Sequence, residues 1–225
     1  MVKRKQNIHL NWRQESTLKF FFLFSWLFFL VIACETNAPT EEKEEPIIEV
    51  VEPEIDRLSK WERYFIAHPD YRCDGFDFPV GKPDGKGYYN AQPFQKNDHL
   101  GDDWNAVTGG NSDLGDPIYA IANGYVVLAT EVGSGWGKVV RVMHQLDDST
   151  YVESLYAHCD TMLVQSNEGI KRGQKIATIG DANGAYYAHL HLEIRDSVEM
   201  EVGGGYSSYY NGYVDPTAFI KAHRP

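Results

Sequence analysis

Positive charge is scarce in this chain of 225 residues. Lys and Arg number 21 against 32 Asp and Glu, a net charge of −11. A nucleic-acid binder needs a basic face for the phosphates, and none can be assembled here. Long apolar runs are missing too. Phe20 to Ala33 is uncharged for 14 residues, whereas a membrane-spanning helix needs roughly 20. Cysteine is sparse, with only Cys34, Cys73 and Cys159. From Phe76 onward there is no internal repeat, no low-complexity stretch and little helical periodicity.

The basic charge that is present opens the chain. Lys3, Arg4, Lys5, Arg13 and Lys19 stand against Glu15 alone, ahead of the apolar run. That is the layout of an export signal, whose apolar region has roughly 7–15 residues. The run ends Val31-Ile32-Ala33-Cys34, which resembles the bacterial lipobox. The resemblance implies that residues 1–33 are a lipoprotein signal peptide and that Cys34 is the lipid-modified first residue of the mature protein. An uncleaved N-terminal anchor is the alternative. Either reading places the rest outside the cytoplasm at a bacterial membrane, held by buried acyl chains in the first case. The two remaining cysteines, Cys73 and Cys159, could then pair in an oxidising compartment.

Residues 34–56 read as a tether. Eight acidic side chains from Glu41 to Asp56 face Lys43 alone, with Pro39, Pro46 and Pro53 between them. Such a segment stays extended and solvated. Residues 57–75 read as a helix and connector. Ser59 and Glu62 have capping-box spacing, Trp61, Tyr64 and Phe65 offer a docking face, and Pro69 stops the helix.

From Phe76 to the C-terminus the texture is β. Asn123-Gly124 is a hairpin signal, and Gly133 to Gly137 is a turn between strand candidates. Lys138–His144, Thr150–His158 and two short stretches between Gly169 and Gly180 read as strands. Short strands at close spacing with Gly-rich turns predict a mainly β, antiparallel domain with few short helices.

Ala188 to Ile194 is the last strand candidate. Alternation along a strand puts His189 and His191 on one face and Leu190 and Leu192 on the other. Paired imidazoles signal a metal site, acid–base chemistry, or both. Two further segments carry histidine: His99 with Asp103, and His158 behind Tyr156. Catalytic zinc uses three imidazole or carboxylate ligands and leaves one position for water. Two histidines and one aspartate would supply that set. The two histidines left over could serve as general acid and base, or as donors to a developing oxyanion.

Three motifs, His99-Leu100-Gly101-Asp102-Asp103, Tyr156-Ala157-His158 and His189-Leu190-His191, resemble those of the lysostaphin-type, LytM-like zinc metallopeptidases. The connectors Gly115-Asp116-Pro117-Ile118, Ala122-Asn123-Gly124-Tyr125-Val126 and Gly173-Gln174-Lys175-Ile176 fit as well. The resemblance runs from about Phe76 to Ile194. It implies a grooved antiparallel sheet of the duplicated-hybrid-motif type over residues 76–225. It also implies zinc held by His99, Asp103 and His191, and His158 and His189 as catalytic histidines. The implied activity is hydrolysis of peptide cross-links in peptidoglycan, with its peptide stems as partners. A non-catalytic activator of cell-wall hydrolases on the same fold is the second reading.

Other residues draw weaker expectations. Asp102 competes with Asp103, but the motif spacing selects Asp103. Glu193 shares the histidine face. His144 reads as structural or rim-facing, and His9, His68 and His223 as exposed. Cys159 reads as packing or a disulfide partner. Tyr88 and Tyr89 are left unassigned. The stretches 105–116 and 203–210 read as groove walls or as plain surface loops, and Asp215 or Thr217 as the cap of a final turn.

Overall fold

A computed structural model describes residues 58–147 and 149–225. The signal-peptide, lipidation and tether expectations, and His9, lie outside the described residues.

The first element is helix α1 (Lys60–Ala67). Ser59 caps it, accepting from the Glu62 N–H, while the Glu62 carboxylate accepts from the Ser59 N–H. The helix docks as its aromatic face requires. Trp61 and Tyr64 pack on Tyr125, and buried Phe65 packs near Tyr151.

Nine strands follow among the described residues: β1 (Tyr88–Gln92), β2 (Asp102–Ala106), β3 (Pro117–Tyr119), β4 (Gly124–Gly133), β5 (Gly137–Gln145), β6 (Tyr151–Met162), β7 (Gly169–Ile170), β8 (Lys175–Ile179) and β9 (Leu190–Arg195). They pair in the order β1-β2-β9-β6-β5-β4-β7, with β8 bridging β6 to β3, and every pairing is antiparallel. Helix α2 (Pro216–Ala222) closes the chain, capped by Asp215, whose carboxylate accepts from the Ala218 N–H.

The main core gathers side chains such as Ile118, Val126, Val140, Tyr156, Ile176, Leu190, Leu192 and Ile194. The alternate residues of β9 and β6 face the other way. There, only a small apolar cluster of Trp136, Val139, Leu155 and Ala157 forms. That second face carries the polar residues His191, Glu193 and Arg195.

Three expectations need correction. Asn123-Gly124 is not a hairpin turn: β3 pairs with β8 and β4 with β5 and β7. Its glycine serves close approach instead, since a Cβ there would lie 2.5 Å from the Met143 carbonyl oxygen. Cys73 and Cys159 are free thiols, both buried. Burial is also the main reason each is pushed up to about 12, so neither forms a thiolate at neutral pH. His223 is half-buried, stacked on Phe219, while His68 is exposed. His144 is structural and fully buried, not on a rim. It sits between the Asn123 carbonyl and the Ser154 hydroxyl, and burial pushes its pKa down to about 4.

Gly124→Ala tests the close approach. The methyl must push β4 off β5, costing about 1–3 kcal/mol in a chemical denaturation curve. An unchanged midpoint would mean that the glycine is not required there.

Candidate metal centre

Register builds the site. Strands β2 and β9 pair so that Asp103 stands directly opposite His191. Alternation turns Asp103 toward the polar face and sends its neighbours elsewhere. Trp104 enters the core, and the buried Asp102 carboxylate accepts from the Thr217 N–H and hydroxyl at the start of α2. Asp102 therefore holds α2, and Asp103 is the aspartate at the site. Asp103 belongs to a strand, although the loop-like text around it predicted a bend. Gly101 allows this geometry, because a Cβ there would meet the Leu192 carbonyl oxygen at 2.3 Å.

His99 closes the group from the segment before β2. Its Nε2 lies 2.9 Å from His191 Nδ1 and 3.3 Å from Asp103 Oδ1, and His191 Nδ1 lies 3.0 Å from the same oxygen. All three residues are buried. Their outer atoms fix which nitrogen is free. His99 Nδ1 donates to the Gln92 carbonyl at 3.1 Å, leaving a lone pair on Nε2. His191 Nε2 donates to Glu193 Oε1 at 3.1 Å, leaving a lone pair on Nδ1. In the neutral tautomers two imidazole lone pairs and a carboxylate oxygen thus face one another. Buried acceptors in that arrangement repel unless a cation sits among them.

The separations suit zinc, whose bonds of about 2.0–2.2 Å to N and O bring three ligand atoms within a few ångströms of one another. The donor set of two imidazoles and a carboxylate suits it too. In the metal-free protein a proton can take the cation's place. Burial opposes a charged His191, but the hydrogen bonds to Asp103 and Glu193 outweigh it and push its pKa up to about 9. The same contacts, from His191 and His99, hold Asp103 well below the usual carboxylate range despite its burial.

His158 and His189 border the same cavity of about 270 Å³, with Gln92, Trp136, Tyr186 and Tyr206. His158 Nδ1 donates to the Trp136 carbonyl at 3.2 Å, and His189 Nδ1 to the Tyr187 carbonyl at 2.7 Å. Each ring keeps Nε2 free. The two rings are 4.6 Å apart, and His189 Nε2 lies 3.7 Å from Asp103 Oδ1. Burial, with the neighbouring His189 and His191, pushes His158 down to about 3, so it is neutral at pH 7.

All five histidine and aspartate positions expected at the site therefore meet. Glu193 joins them as expected. Of the two expected walls, Gly204, Gly205 and Tyr206 line the cavity. The loop after β2 braces it instead, with Asn111 Oδ1 accepting from the Ala188 N–H at 2.9 Å. Tyr88 is turned away and donates to Asp116, and Tyr89 does not line the cavity. The sequence reading missed Trp136 and Gln92. Trp136 sits in a glycine-rich turn with no periodic context. Tyr206 reaches His99 through an isolated bridge from a segment without regular structure. Gln92 contributes its backbone carbonyl to His99 and donates its side-chain amide to the Tyr206 hydroxyl at 3.2 Å.

Residues 99–213 match the family model for Peptidase family M23. The chain belongs to peptidase family M23. Among relatives of this M23 chain, lipoprotein NlpD of Yersinia enterocolitica is 47% identical over 81 residues, covering 36% of this chain and 78% of that protein. Murein hydrolase activator NlpD of Escherichia coli (strain K12) is 42% identical over 96 residues, covering 40% of this chain and 24% of that protein. A solved structure of a zinc-containing peptidase from Vibrio cholerae is 25% identical with a TM-score of 0.45, covering 54% of this chain and 37% of that one. The M23 chain thus spans most of the Yersinia protein but only about a quarter of the Escherichia coli one.

A metal ion held by all three ligands displaces the His191 proton. Its apparent affinity should rise about tenfold per pH unit up to pH 9 and then level off. Metal-free stability should run the other way. His191 is raised above its unfolded value, so its contribution is complete below pH 6.5 and is lost as pH climbs through 9. Chelator competition across pH checks the first trend and denaturation of metal-free protein the second. A pH-independent affinity between 6 and 9 would contradict the shared proton.

Proposed function

We propose that this M23 chain is a zinc metalloendopeptidase that hydrolyses peptide cross-links of bacterial peptidoglycan. One observation carries the reading: three convergent acceptors, His99, Asp103 and His191, of which the latter two line a cavity with His158 and His189. Zinc held by the three would lower the pKa of a bound water and polarise the scissile carbonyl. His158 and His189 then supply acid–base chemistry and hydrogen bonds to the oxygen that gains charge. Backbone carbonyls engage Nδ1 of each ring, which directs each Nε2 toward the cavity. A proton taken up at His189 Nε2 lies close to Asp103 and is stabilised by it. The buried surroundings of His158 disfavour its charged form, so a proton it accepts is readily passed on. Tyr186 and Tyr206 line the cavity and are exposed, amphipathic side chains suited to a peptide stem. The lipobox resemblance places this activity at a bacterial membrane, tethered through a lipid on Cys34.

The second reading is a non-catalytic activator of other cell-wall hydrolases. The name of the Escherichia coli relative, murein hydrolase activator, favours it. The side chains present at the cavity favour catalysis.

Digestion of isolated peptidoglycan separates the two. The catalytic reading expects release of cross-linked peptides by the purified chain alone, abolished by a chelator and restored by zinc. An activator would release nothing alone but would speed a second hydrolase. His158→Ala should keep its zinc and lose about 10²–10⁴-fold in turnover. A zinc-replete His158→Ala protein with full activity would remove His158 from the chemistry.

A further inference from the structure

Arg195 is fully buried on the same face of β9 as His191 and Glu193, and the chemistry above makes no use of it. Its guanidinium has five N–H groups, and the structure aims all of them at acceptors. Nε and Nη2 donate to Glu193 Oε2 at 2.8 and 2.6 Å. Nη1 donates to the Glu201 carbonyl at 3.0 Å and Nη2 to the Val202 carbonyl at 2.7 Å. Nη1 also faces Glu153 Oε1 at 3.8 Å. Glu153 is held in turn by both Nε and Nη2 of Arg141 at 2.8 Å. Buried charge therefore alternates along Glu193, Arg195, Glu153 and Arg141, which balances it.

The two sides of this guanidinium serve different parts of the site. On one side, Glu193 Oε1 receives the His191 Nε2 proton, so the clamp on Oε2 fixes the carboxylate that fixes the tautomer. On the other side is chain that cannot hold itself. Asp196 to Gly205 contains neither helix nor strand. It is pinned by Arg195, by Trp136 Nε1 donating to the Gly203 carbonyl at 2.9 Å, and by the Leu100 N–H donating to the Gly205 carbonyl at 3.0 Å. This segment delivers Gly204, Gly205 and Tyr206 to the cavity, and Tyr206 packs on His99.

We propose that Arg195 is a positioning residue that locks the metal-ligand tautomer of His191 and the 201–206 wall of the cavity into one rigid unit. The metal half rests on the zinc reading above. Lysine would keep the charge but offers three donors on a single nitrogen, which cannot span Glu193 and both carbonyls.

The test compares wild type with Arg195→Lys by two readouts: zinc affinity in chelator competition, and amide hydrogen exchange. Arg195→Lys should keep the wild-type circular dichroism spectrum, bind zinc about 10–100-fold more weakly and exchange the Leu100 amide faster. Unchanged zinc affinity and unchanged Leu100 protection would overturn the proposal. If Arg195→Lys does not fold, the double variant Glu193→Met/Arg195→Met removes both charges and leaves the Glu153–Arg141 pair intact. Faster Leu100 exchange in it supports the clamp, since Glu193 does not touch the wall, and wild-type Leu100 protection overturns it. A wild-type chain that takes up no zinc would sink the metal reading instead. Exchange at Leu100 then still decides whether Arg195 holds the wall, and unchanged protection in Arg195→Lys overturns that.

Discussion

Three buried acceptor atoms converging on one point are the constraint around which this molecule is arranged. Asp103 Oδ1, His99 Nε2 and His191 Nδ1 lie 2.9–3.3 Å apart. Left alone, such a cluster is repulsive in a low dielectric. Each outer contact makes the repulsion worse before a cation relieves it. The Gln92 carbonyl and the Glu193 carboxylate draw the imidazole protons outward and so direct both lone pairs inward. Fixing ligand tautomers through a second layer of acceptors is how metal sites are tuned. A proton on His191 offsets that repulsion in part, and a divalent ion would offset it more fully.

The sheet makes this possible because it does two jobs with one alternation. One set of side chains on β9 and β6 fills the main core, which supplies the hydrophobic stabilisation. The other set lines up ligand, carboxylate and guanidinium at successive positions two residues apart. Rigid strands, not loops, therefore carry Asp103 and His191. His158 and His189 come from less regular backbone: His158 has a left-handed φ of 58°, and His189 precedes β9. The result is a pair of strand-borne acceptors beside two histidines whose orientation depends on backbone carbonyls.

Much of this was legible in the sequence, for physical reasons. Period-two alternation was enough to put His189, His191 and Glu193 on one face. The capping box at Ser59 is a local signal and formed as read. The spacing His99-x-Gly-x-Asp103 selected the aspartate that the structure brings to His99 and His191: Gly101 permits backbone contact with β9, and Asp102 is occupied by Thr217. What failed depended on distant partners. Asn123-Gly124 has hairpin chemistry, but tertiary packing uses its glycine for close approach. Cys73 and Cys159 share a chain, yet the fold buries them as separate free thiols. Trp136 enters the cavity through contacts between segments far apart in sequence. Arg195 could have been found, since it continues the β9 alternation by one step, but a buried arginine carries no sequence mark of its own.

The most direct measurement is the zinc content of the purified chain, with the X-ray absorption spectrum of the bound metal, for wild type and for Asp103→Ala and His191→Ala. One zinc per chain, with two imidazoles and oxygen in its coordination shell, and loss of metal from both variants, is the predicted result. A chain that retains no zinc, or that retains it equally well without Asp103 and His191, would contradict the metal centre on which the peptidase reading rests.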